Sequence, residues 1–311
     1  MEHVNRTMVR EFVLLAFSDT DHFQILLFSI TLLTYIICIM GNALTVILVR
    51  LEPSLHKPMY IFITTFAVLE IMFVSVTIPR LLENLITQNK SISFIGCFVQ
   101  LYSFNALGET ECFILTIMVF DRYLAIHKPL HYSSIMTRSF CVQLAIFPWT
   151  IGLFLSFIVT FFTARMEFCG PNEVNHFFCD LAPLQNLACS DAFVSNVVTS
   201  SAAIFAIIIP FSIIMGFYVR IIITVLKIKS SDGKKKAFST CSSHLIVASL
   251  FFGTAFIVYV RPKGSQYDKF LALIYTVVTP LLNPFIYTLR NRDVKDAFLK
   301  TIRSLLKQAL K

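Results

Sequence analysis

The sequence has few charged residues. Asp, Glu, Lys and Arg together make up 14% of the 311 residues, whereas hydrophobic residues make up 56%, and the mean hydropathy is +0.75. A chain of this composition cannot cover its apolar surface with polar groups, which excludes an ordinary soluble domain. The sequence therefore predicts a protein that lies in a lipid bilayer.

The chain also lacks the patterns of several functional classes. It has no nucleophile–base arrangement, no phosphate-binding loop and no HExxH motif, which argues against an enzyme. No segment occurs twice, which argues against a transporter built from repeats. The net charge of +8 suits anionic membrane lipid and an acidic protein partner, so we expect no nucleic-acid partner.

Long apolar runs account for most of the chain. A membrane-crossing helix needs roughly 20 apolar residues. Seven such runs are present, at about residues 23–49, 59–86, 98–120, 139–163, 195–226, 238–260 and 268–289. We therefore expect an all-α membrane protein, a seven-transmembrane helix bundle at 23–290, preceded by an N-terminal segment at 1–22 and followed by a tail at 291–311.

Lys and Arg are distributed unevenly between the two sides of this predicted bundle. With the N-terminus outside, 18 of the 26 basic residues fall in inner segments and 7 in outer segments. Cytoplasmic loops keep positive charge, so the predicted topology is N-terminus outside and C-terminus inside, at the plasma membrane. The sequon Asn5-Arg6-Thr7 then lies on the extracellular side, where Asn5 can be glycosylated.

Four cysteines fall in the predicted extracellular part: Cys97, Cys169, Cys179 and Cys189. In an oxidising compartment they suggest two disulfides, and three pairings are possible. A bridge from Cys97 into the loop that follows the fourth span would pin this loop across the bundle as a lid. A zinc site is disfavoured because the cysteines lack the close pairs that zinc sites use.

Polar residues occur at unusual places in the apolar runs. Asp121 and Arg122 stand side by side at the inner end of the third span, where the simplest interpretation is an Arg that reaches the interface and an Asp that neutralises it. Glu70 and Glu111 lie within the membrane, which is costly unless they face polar partners, water or an ion. In the seventh span, Pro284 removes a backbone hydrogen bond and predicts a weak point in the helix.

Several of these residues belong to longer motifs. They are "GN" at 41–42, "LHKPMY" at 55–60, "MVFDRYLAIHKPLHY" at 118–132, "HFFCD" at 176–180, "KAFSTCSSHL" at 236–245 and "PLLNPFIYTLRN" at 280–291. In these motifs, which cover six of the seven spans or their edges in order, the chain resembles the olfactory receptors among the rhodopsin-like G-protein-coupled receptors. The resemblance implies the seven-helix fold and a receptor function.

The resemblance also implies roles for individual residues. Asp121 would hold Arg122 at rest and release it on activation, when Tyr218 and Tyr287 would rearrange toward it, with Asn283 and Pro284 in the motif that bends. The residues Asn42, Glu70, Glu111 and Asn283 would form a polar seam that could hold a sodium ion near Glu70 and Glu111, and no other cofactor is expected. The implied disulfides are Cys97–Cys179 and Cys169–Cys189. The family usually has Asp where Glu70 stands, which puts the ion in most doubt.

Helix faces give a candidate ligand pocket in the outer half of the bundle. Its predicted residues are Phe104, Asn105, Gly108, Ala202, Ala203, Ala206, Phe252, Phe256, Tyr259 and Thr276. The mixture suits a small, largely neutral organic molecule held by burial and one or two hydrogen bonds. No acid shares the face of Phe104 and Asn105, which disfavours a cationic amine. The alternative for each residue is simple helix packing.

The functional hypothesis is an odorant receptor that binds small, mostly apolar molecules and activates a stimulatory G protein, raising cyclic AMP. The alternative is a rhodopsin-like receptor for a non-odorant metabolite outside the olfactory system, which tissue expression would distinguish. After the seventh span, Val294, Phe298, Ile302 and Leu305 repeat at helical spacing with basic residues between them. This pattern predicts a short amphipathic eighth helix on the membrane surface.

Overall fold

The protein is a bundle of long helices with a small β-sheet at one end. The structure, a computed structural model, describes residues 9–17, 23–87, 89–169, 171–260, 268–290 and 294–301. The helices are α1 (Gln24–Leu51), α2 (Pro58–Ile86), α3 (Phe94–His127), α4 (Tyr132–Ile135), α5 (Arg138–Ala164), α6 (Leu181–Leu187), α7 (Phe193–Ala203), α8 (Ile209–Lys227), α9 (Ser231–Val260), α10 (Asp268–Leu273) and α11 (Thr279–Arg290). Residues 294–301 are also helical.

Within the described residues, the long helices form seven rods, which correspond to the seven apolar runs. The rods are α1, α2, α3, α5, α7 with α8, α9, and α10 with α11. Two rods are composite, because π-helical turns at Ile204–Ile208 and Ile274–Val278 join α7 to α8 and α10 to α11. Within the described chain, the first five rods are long and apolar enough to cross a membrane, and the last two contain shorter apolar segments, His244–Phe256 and Lys269–Asn283. The third rod, α3, packs against α2, α5, α8 and α9 and so forms the centre of the bundle.

Local sequence explains where several helices begin. The Ser93 side chain accepts a hydrogen bond from the Gly96 N–H at 3.1 Å and caps α3. Thr137 caps α5 in the same way through the Phe140 N–H at 3.3 Å. Such side chains satisfy backbone donors that a helix leaves unpaired in its first turn.

Both π turns stand just ahead of a proline. Pro210 is the second residue of α8 and Pro280 the second residue of α11. Because proline cannot donate a backbone hydrogen bond and crowds the preceding turn, a widened turn at this place relieves the conflict. The irregular point of the seventh rod therefore lies at Ile274–Val278, whereas the helix backbone continues through position 284, where the sequence predicted the weak point.

One end of the bundle, which we call the outer end as opposed to the inner end, contains a three-stranded sheet in the order β2-β1-β3, made by β1 (Glu11–Leu14), β2 (Ser91–Ser93) and β3 (Glu173–Val174). The strand β1 runs antiparallel to β2 and parallel to β3. Phe12 is fully buried. The N-terminal segment, expected only as an extracellular extension, thus packs onto the bundle over the residues described.

The loop between α5 and α7, residues 165–192, folds over the outer end of the bundle, and we call it the lid loop. The Cys97–Cys179 disulfide ties it to α3, with Cα atoms 5.4 Å apart. The Cys169–Cys189 disulfide closes the loop on itself, with Cα atoms 5.9 Å apart. Both pairings implied by the resemblance are therefore present. The Cys179 N–H also donates to Gln100 Oε1 at 3.0 Å, which fixes the lid loop over α3.

The helix at residues 294–301 contacts the inner end of the bundle. Val294 and Ala297 are buried against the core, as the first part of the predicted amphipathic pattern requires. Lys300 Nζ lies 3.0 Å from a carboxylate oxygen of Glu52, at the end of α1. Ile302 and Leu305, which complete the predicted apolar face, lie outside the described residues.

Candidate ligand cavity and inner charge cluster

A cavity of about 430 Å³ opens between the helices beneath the lid loop. Six of the predicted pocket residues line it: Phe104, Asn105, Gly108, Ala202, Ala203 and Ala206. The first three come from α3, and the other three come from α7 and the π turn that follows it. The small alanine side chains leave the space that the larger residues of α3 face.

The sixth rod contributes different residues from those predicted. Phe251 and Ala255 line the cavity, whereas Phe252 and Phe256 do not. Phe252 is buried against Phe211, with ring centroids 5.6 Å apart, and Phe256 is 56% exposed on the outside of the bundle. One residue along a helix turns the side chain by about 100°, so an error of one position moves it off the cavity wall.

The seventh rod shows the same shift of one position. Tyr275 lines the cavity, whereas Thr276 is fully buried and its hydroxyl donates to the Ala272 carbonyl at 2.8 Å. The Thr276 hydroxyl therefore donates its hydrogen bond within its own helix and is not the polar anchor that was expected for the ligand. Tyr259 lies in α9, but its side chain is outside the part of the structure that is described.

Aromatic side chains pack behind Phe104 and Tyr275, which line the cavity. The Phe104 ring lies 4.6 Å from the Phe178 ring of the lid loop and 5.0 Å from the Phe73 ring of α2, measured between centroids. Tyr275 packs edge-on against Phe73 at 5.7 Å. Offset and edge-on aromatic contacts of this kind stabilise a rigid apolar wall.

Of the cavity residues on α3, sequence reasoning missed Cys112 and also the acid Glu109. Its Oε2 atom is buried without a hydrogen-bond partner among the described residues, and the same holds for Asn105 Nδ2. The signal was available, because Glu109 follows Asn105 by four residues and so lies one turn away on the same helix face. The cavity wall therefore contains an acid, contrary to the expectation from the sequence.

At the inner end of α3, Asp121, Arg122 and Tyr132 form a compact set that we call the inner cluster. Arg122 Nε donates to Asp121 Oδ2 at 3.0 Å, and its Nη2 contacts the same oxygen. The Tyr132 hydroxyl, from α4, donates to Asp121 Oδ1 at 2.6 Å. Burial and the neighbouring Asp121 carboxylate raise the pKa of Tyr132, which keeps the phenol a donor. Both oxygens of the buried Asp121 are therefore paired.

The inner cluster faces two other rods. Arg122 lies close enough to Cys241 and His244 of α9 to act on them electrostatically. Tyr218 of α8 is 5% exposed, and its hydroxyl has no hydrogen-bond partner within the described residues. Pro284 and Tyr287, assigned to the same switch from the sequence, lie in α11, and their side chains are outside the described part.

The polar seam is partly connected. Asn283 Nδ2 donates to Glu70 Oε1, and the buried carboxyl groups of Glu70 and Glu111 lie close enough to interact electrostatically. Asn42 instead donates to the Cys38 carbonyl of its own helix at 3.1 Å. The buried seam thus joins the second, third and seventh rods.

The polar seam contains the oxygen ligands that a sodium ion would require. Glu70 Oε2 and Asn283 Oδ1 are buried oxygens without a hydrogen-bond donor in the described chain. Two carboxylates at such short distance cannot both stay charged unless a proton or a cation lies between them. Glu70, Glu111 and Asn283 therefore fit a monovalent cation by donor chemistry. Asn5, the predicted glycosylation site, lies outside the described residues.

Comparisons with known proteins agree over nearly the whole length. The family model described as "Olfactory receptor" matches residues 31–305. Human Olfactory receptor 10A7 is 44% identical over 309 residues, which cover 98% of each chain. Human Olfactory receptor 10AG1 is 45% identical over 95% of this chain and 99% of its own. Mouse Olfactory receptor 6E1 is 44% identical over 97% of this chain and 98% of its own.

Proposed function

This chain belongs to the olfactory receptor family, and from this membership we propose how its cavity and its inner cluster act together. The chain is a multi-pass membrane protein with the seven-helix receptor fold. It is an odorant receptor that couples to a G protein, so it is a signalling protein rather than an enzyme. Four finer points, the ligand site, the switch, the topology and the type of G protein, form the proposal.

The odorant binds in the cavity beneath the lid loop. A volume of about 430 Å³ is in the range of sites for small organic molecules. The apolar walls, from Phe104, Phe251 and Ala206, bind the hydrocarbon part by burial. Asn105 supplies a hydrogen-bond donor that no described residue satisfies.

Binding changes the state of the inner cluster through a population shift. In the structure described, Asp121 holds Arg122 close to α9. A ligand that fits an outward-moved α9 better favours that state, which opens a cytoplasmic cleft and releases Arg122 toward the G protein. Tyr218, whose buried hydroxyl has no hydrogen-bond partner among the described residues, receives Arg122 in that state. A sodium ion at Glu70, Glu111 and Asn283 would supply a positive charge to the polar seam.

The topology places the N-terminus outside and the inner cluster in the cytoplasm, at the plasma membrane. The basic residues of the inner segments and the disulfide-bonded outer end support this orientation. Asn5 then carries the glycan. The partner is a stimulatory G protein, which raises cyclic AMP.

The observation that carries the proposal is that one helix, α3, holds both the cavity wall and the inner cluster. The test is the cyclic AMP response of cells that express the chain with a stimulatory G protein, across a broad odorant panel. The Arg122→Ala variant is compared with Arg50→Ala, which removes an exposed Arg at the inner end of α1. Staining of the native N-terminus without permeabilisation measures surface level and topology.

We expect at least one odorant to raise cyclic AMP, Arg122→Ala to abolish the response at an unchanged surface level, and Arg50→Ala to retain it. A response that survives Arg122→Ala would refute the role of the inner cluster. Silence of the surface-expressed native chain across the whole panel would refute the stimulatory coupling or the odorant site.

A further inference from the structure

Glu109 is the residue of the cavity whose chemistry the proposed function leaves unused. It lies in the middle of α3, and its carboxyl group is hydrogen-bonded to the backbone of Ser156 in α5. The other oxygen, Oε2, is buried without a partner among the described residues. Since Glu109 lines the cavity, its carboxyl group stands at the wall that a bound molecule would contact.

The charges around the cavity all have one sign. Glu173 and Asp180 also line it, and none of its described lining residues is Lys or Arg. Asp180 caps α6 through the Leu181 N–H at 2.8 Å. His176 also lines the cavity, and its Nδ1 accepts the Phe178 N–H at 3.5 Å. The cavity is therefore lined by the carboxyl groups of three acidic residues and, among its described residues, by no Lys or Arg that could balance them.

These charges discriminate between classes of odorant. An acid would meet like charges and is disfavoured. A neutral alcohol can donate one hydrogen bond to Glu109 but brings no positive charge to the acidic lining. A protonated amine supplies both the donor and the opposite charge, which is the combination that a buried carboxylate requires.

We propose that the receptor selects small protonated amines with an apolar body, and that Glu109 binds the ammonium group. This inference rests on the proposed function, because it takes the cavity as the odorant site. It replaces the expectation that an amine is disfavoured. The apolar part of the amine lies against the aromatic wall, while its nitrogen lies beside Glu109, one turn below Asn105 on α3.

The test uses pairs of molecules that differ only in the polar group: hexylamine with hexan-1-ol, octylamine with octan-1-ol, and 2-phenylethylamine with 2-phenylethanol. Cyclic AMP is measured against concentration in cells that express the chain, together with a panel of other neutral odorants. We expect at least one amine to act at a concentration about tenfold or more below that of its alcohol, as for a charge-assisted pair in a buried site.

Variants identify the residue responsible. Glu109→Gln keeps the size but removes the charge, and we expect it to lower amine potency by about tenfold or more. Glu109→Asp keeps the charge and should retain a preference for the amine. Glu11→Gln makes the same chemical change at an exposed strand position away from the cavity and should retain the native preference. Comparing each amine with its alcohol in one variant corrects for differences in surface level.

The outcomes separate this inference from the proposed function. Activation by neutral odorants with silent amines, or an amine potency that Glu109→Gln leaves unchanged, would overturn the amine inference alone. Silence toward amines and neutral odorants alike, in a chain that reaches the surface, would overturn both. A preference for amines that Glu109→Gln removes and Glu109→Asp retains would establish the assignment.

Discussion

The two ends of α3 differ in how their buried polar groups are paired. At the inner end, Arg122 and Tyr132 occupy both oxygens of Asp121. In the outer half, Asn105 Nδ2 and Glu109 Oε2 have no partner in the described chain. An unsatisfied buried polar group costs about 1–3 kcal/mol. The inner end is therefore complete in the state described, whereas the outer half offers unpaired polar groups to a ligand.

The difference teaches how one rigid element can transmit a signal. Asn105 and Arg122 are separated by 17 positions on a single helix, or about 25 Å at 1.5 Å per residue. A ligand that satisfies the outer groups gains free energy only in the states that hold it. If those conformations have an open inner end, the interactions gained with the ligand in the cavity offset the interactions lost in the inner cluster.

The largest effect is expected from a substitution that forces α5 away from α3, because α3 carries both the cavity wall and the inner cluster. A Cβ atom at Gly152 would lie 2.6 Å from the Ala106 carbonyl oxygen and would collide with the Thr110 hydroxyl. Gly152→Leu should destabilise the bundle by about 3 kcal/mol or more, because overpacking at backbone contacts cannot relax. We expect most of the surface-expressed population to be lost, as measured by N-terminal staining.

The matched control is Gly253→Leu in α9, where a Cβ atom would meet nothing within 4 Å. It should reach the surface at close to the native level. Equal surface levels for the two leucine variants would show that the close approach of α3 and α5 is not required for a stable bundle.

A smaller effect should follow from loosening the inner end alone. Tyr132→Phe removes the hydrogen bond to Asp121 and nothing else of the side chain. A hydrogen bond to a charged group contributes about 1.5–3 kcal/mol, so we expect ligand-independent cyclic AMP to rise by about tenfold or more. Tyr102→Phe, which removes a hydroxyl that contacts the Leu153 carbonyl in the outer half, should leave the basal level unchanged. A rise of ligand-independent cyclic AMP in both variants would show that the two ends of α3 do not differ in their effect on the basal signal.

The smallest effect should come from the helix at residues 294–301. The hydrogen bond from Lys300 lowers the pKa of Glu52, so this contact stabilises the docked helix above the ordinary pKa of a carboxyl group and is lost as pH falls through the lowered value. Because the pair is at the surface, Glu52→Gln should raise amide hydrogen exchange at 294–301 by no more than about twofold at neutral pH.

Acidification tests the same contact. The native chain should approach the exchange rate of Glu52→Gln as Glu52 becomes protonated, after correction for the intrinsic pH dependence of exchange. A difference that is unchanged at acidic pH would mean that Glu52 acts through packing rather than through its charge.

Sequence patterns predicted the rods of the bundle well because lipid imposes long apolar runs whose ends are charged. They predicted less well which side of an individual helix faces the interior of the bundle. The run around Phe251, Phe252 and Phe256 is apolar on every side, so no polar face shows which side turns inward. On α3, where polar residues mark the inner face, the prediction placed Phe104, Asn105 and Gly108 on the cavity wall.

Two other features depended on contacts that a local pattern does not contain. The strand Glu11–Leu14 forms through pairing with segments about 80 and 160 residues further along the chain, so its own sequence gives little signal. Glu109 was overlooked although its spacing from Asn105 is helical. The pairings of the four cysteines at the outer end followed from family resemblance, since spacing alone left three possibilities.

The central claim is that a ligand in the outer cavity opens a separate inner cluster, and a double variant tests it most directly. Ala203→Phe fills the cavity, Tyr132→Phe loosens the inner cluster, and Ile204→Phe adds the same ring on the exposed outer face as a control. The measurement is cyclic AMP, corrected for surface level, with and without the most potent odorant of the panel.

We predict that Ala203→Phe with Tyr132→Phe keeps the raised basal signal but loses the odorant response, whereas Ile204→Phe with Tyr132→Phe keeps both. An odorant response that survives the filled cavity would contradict the account.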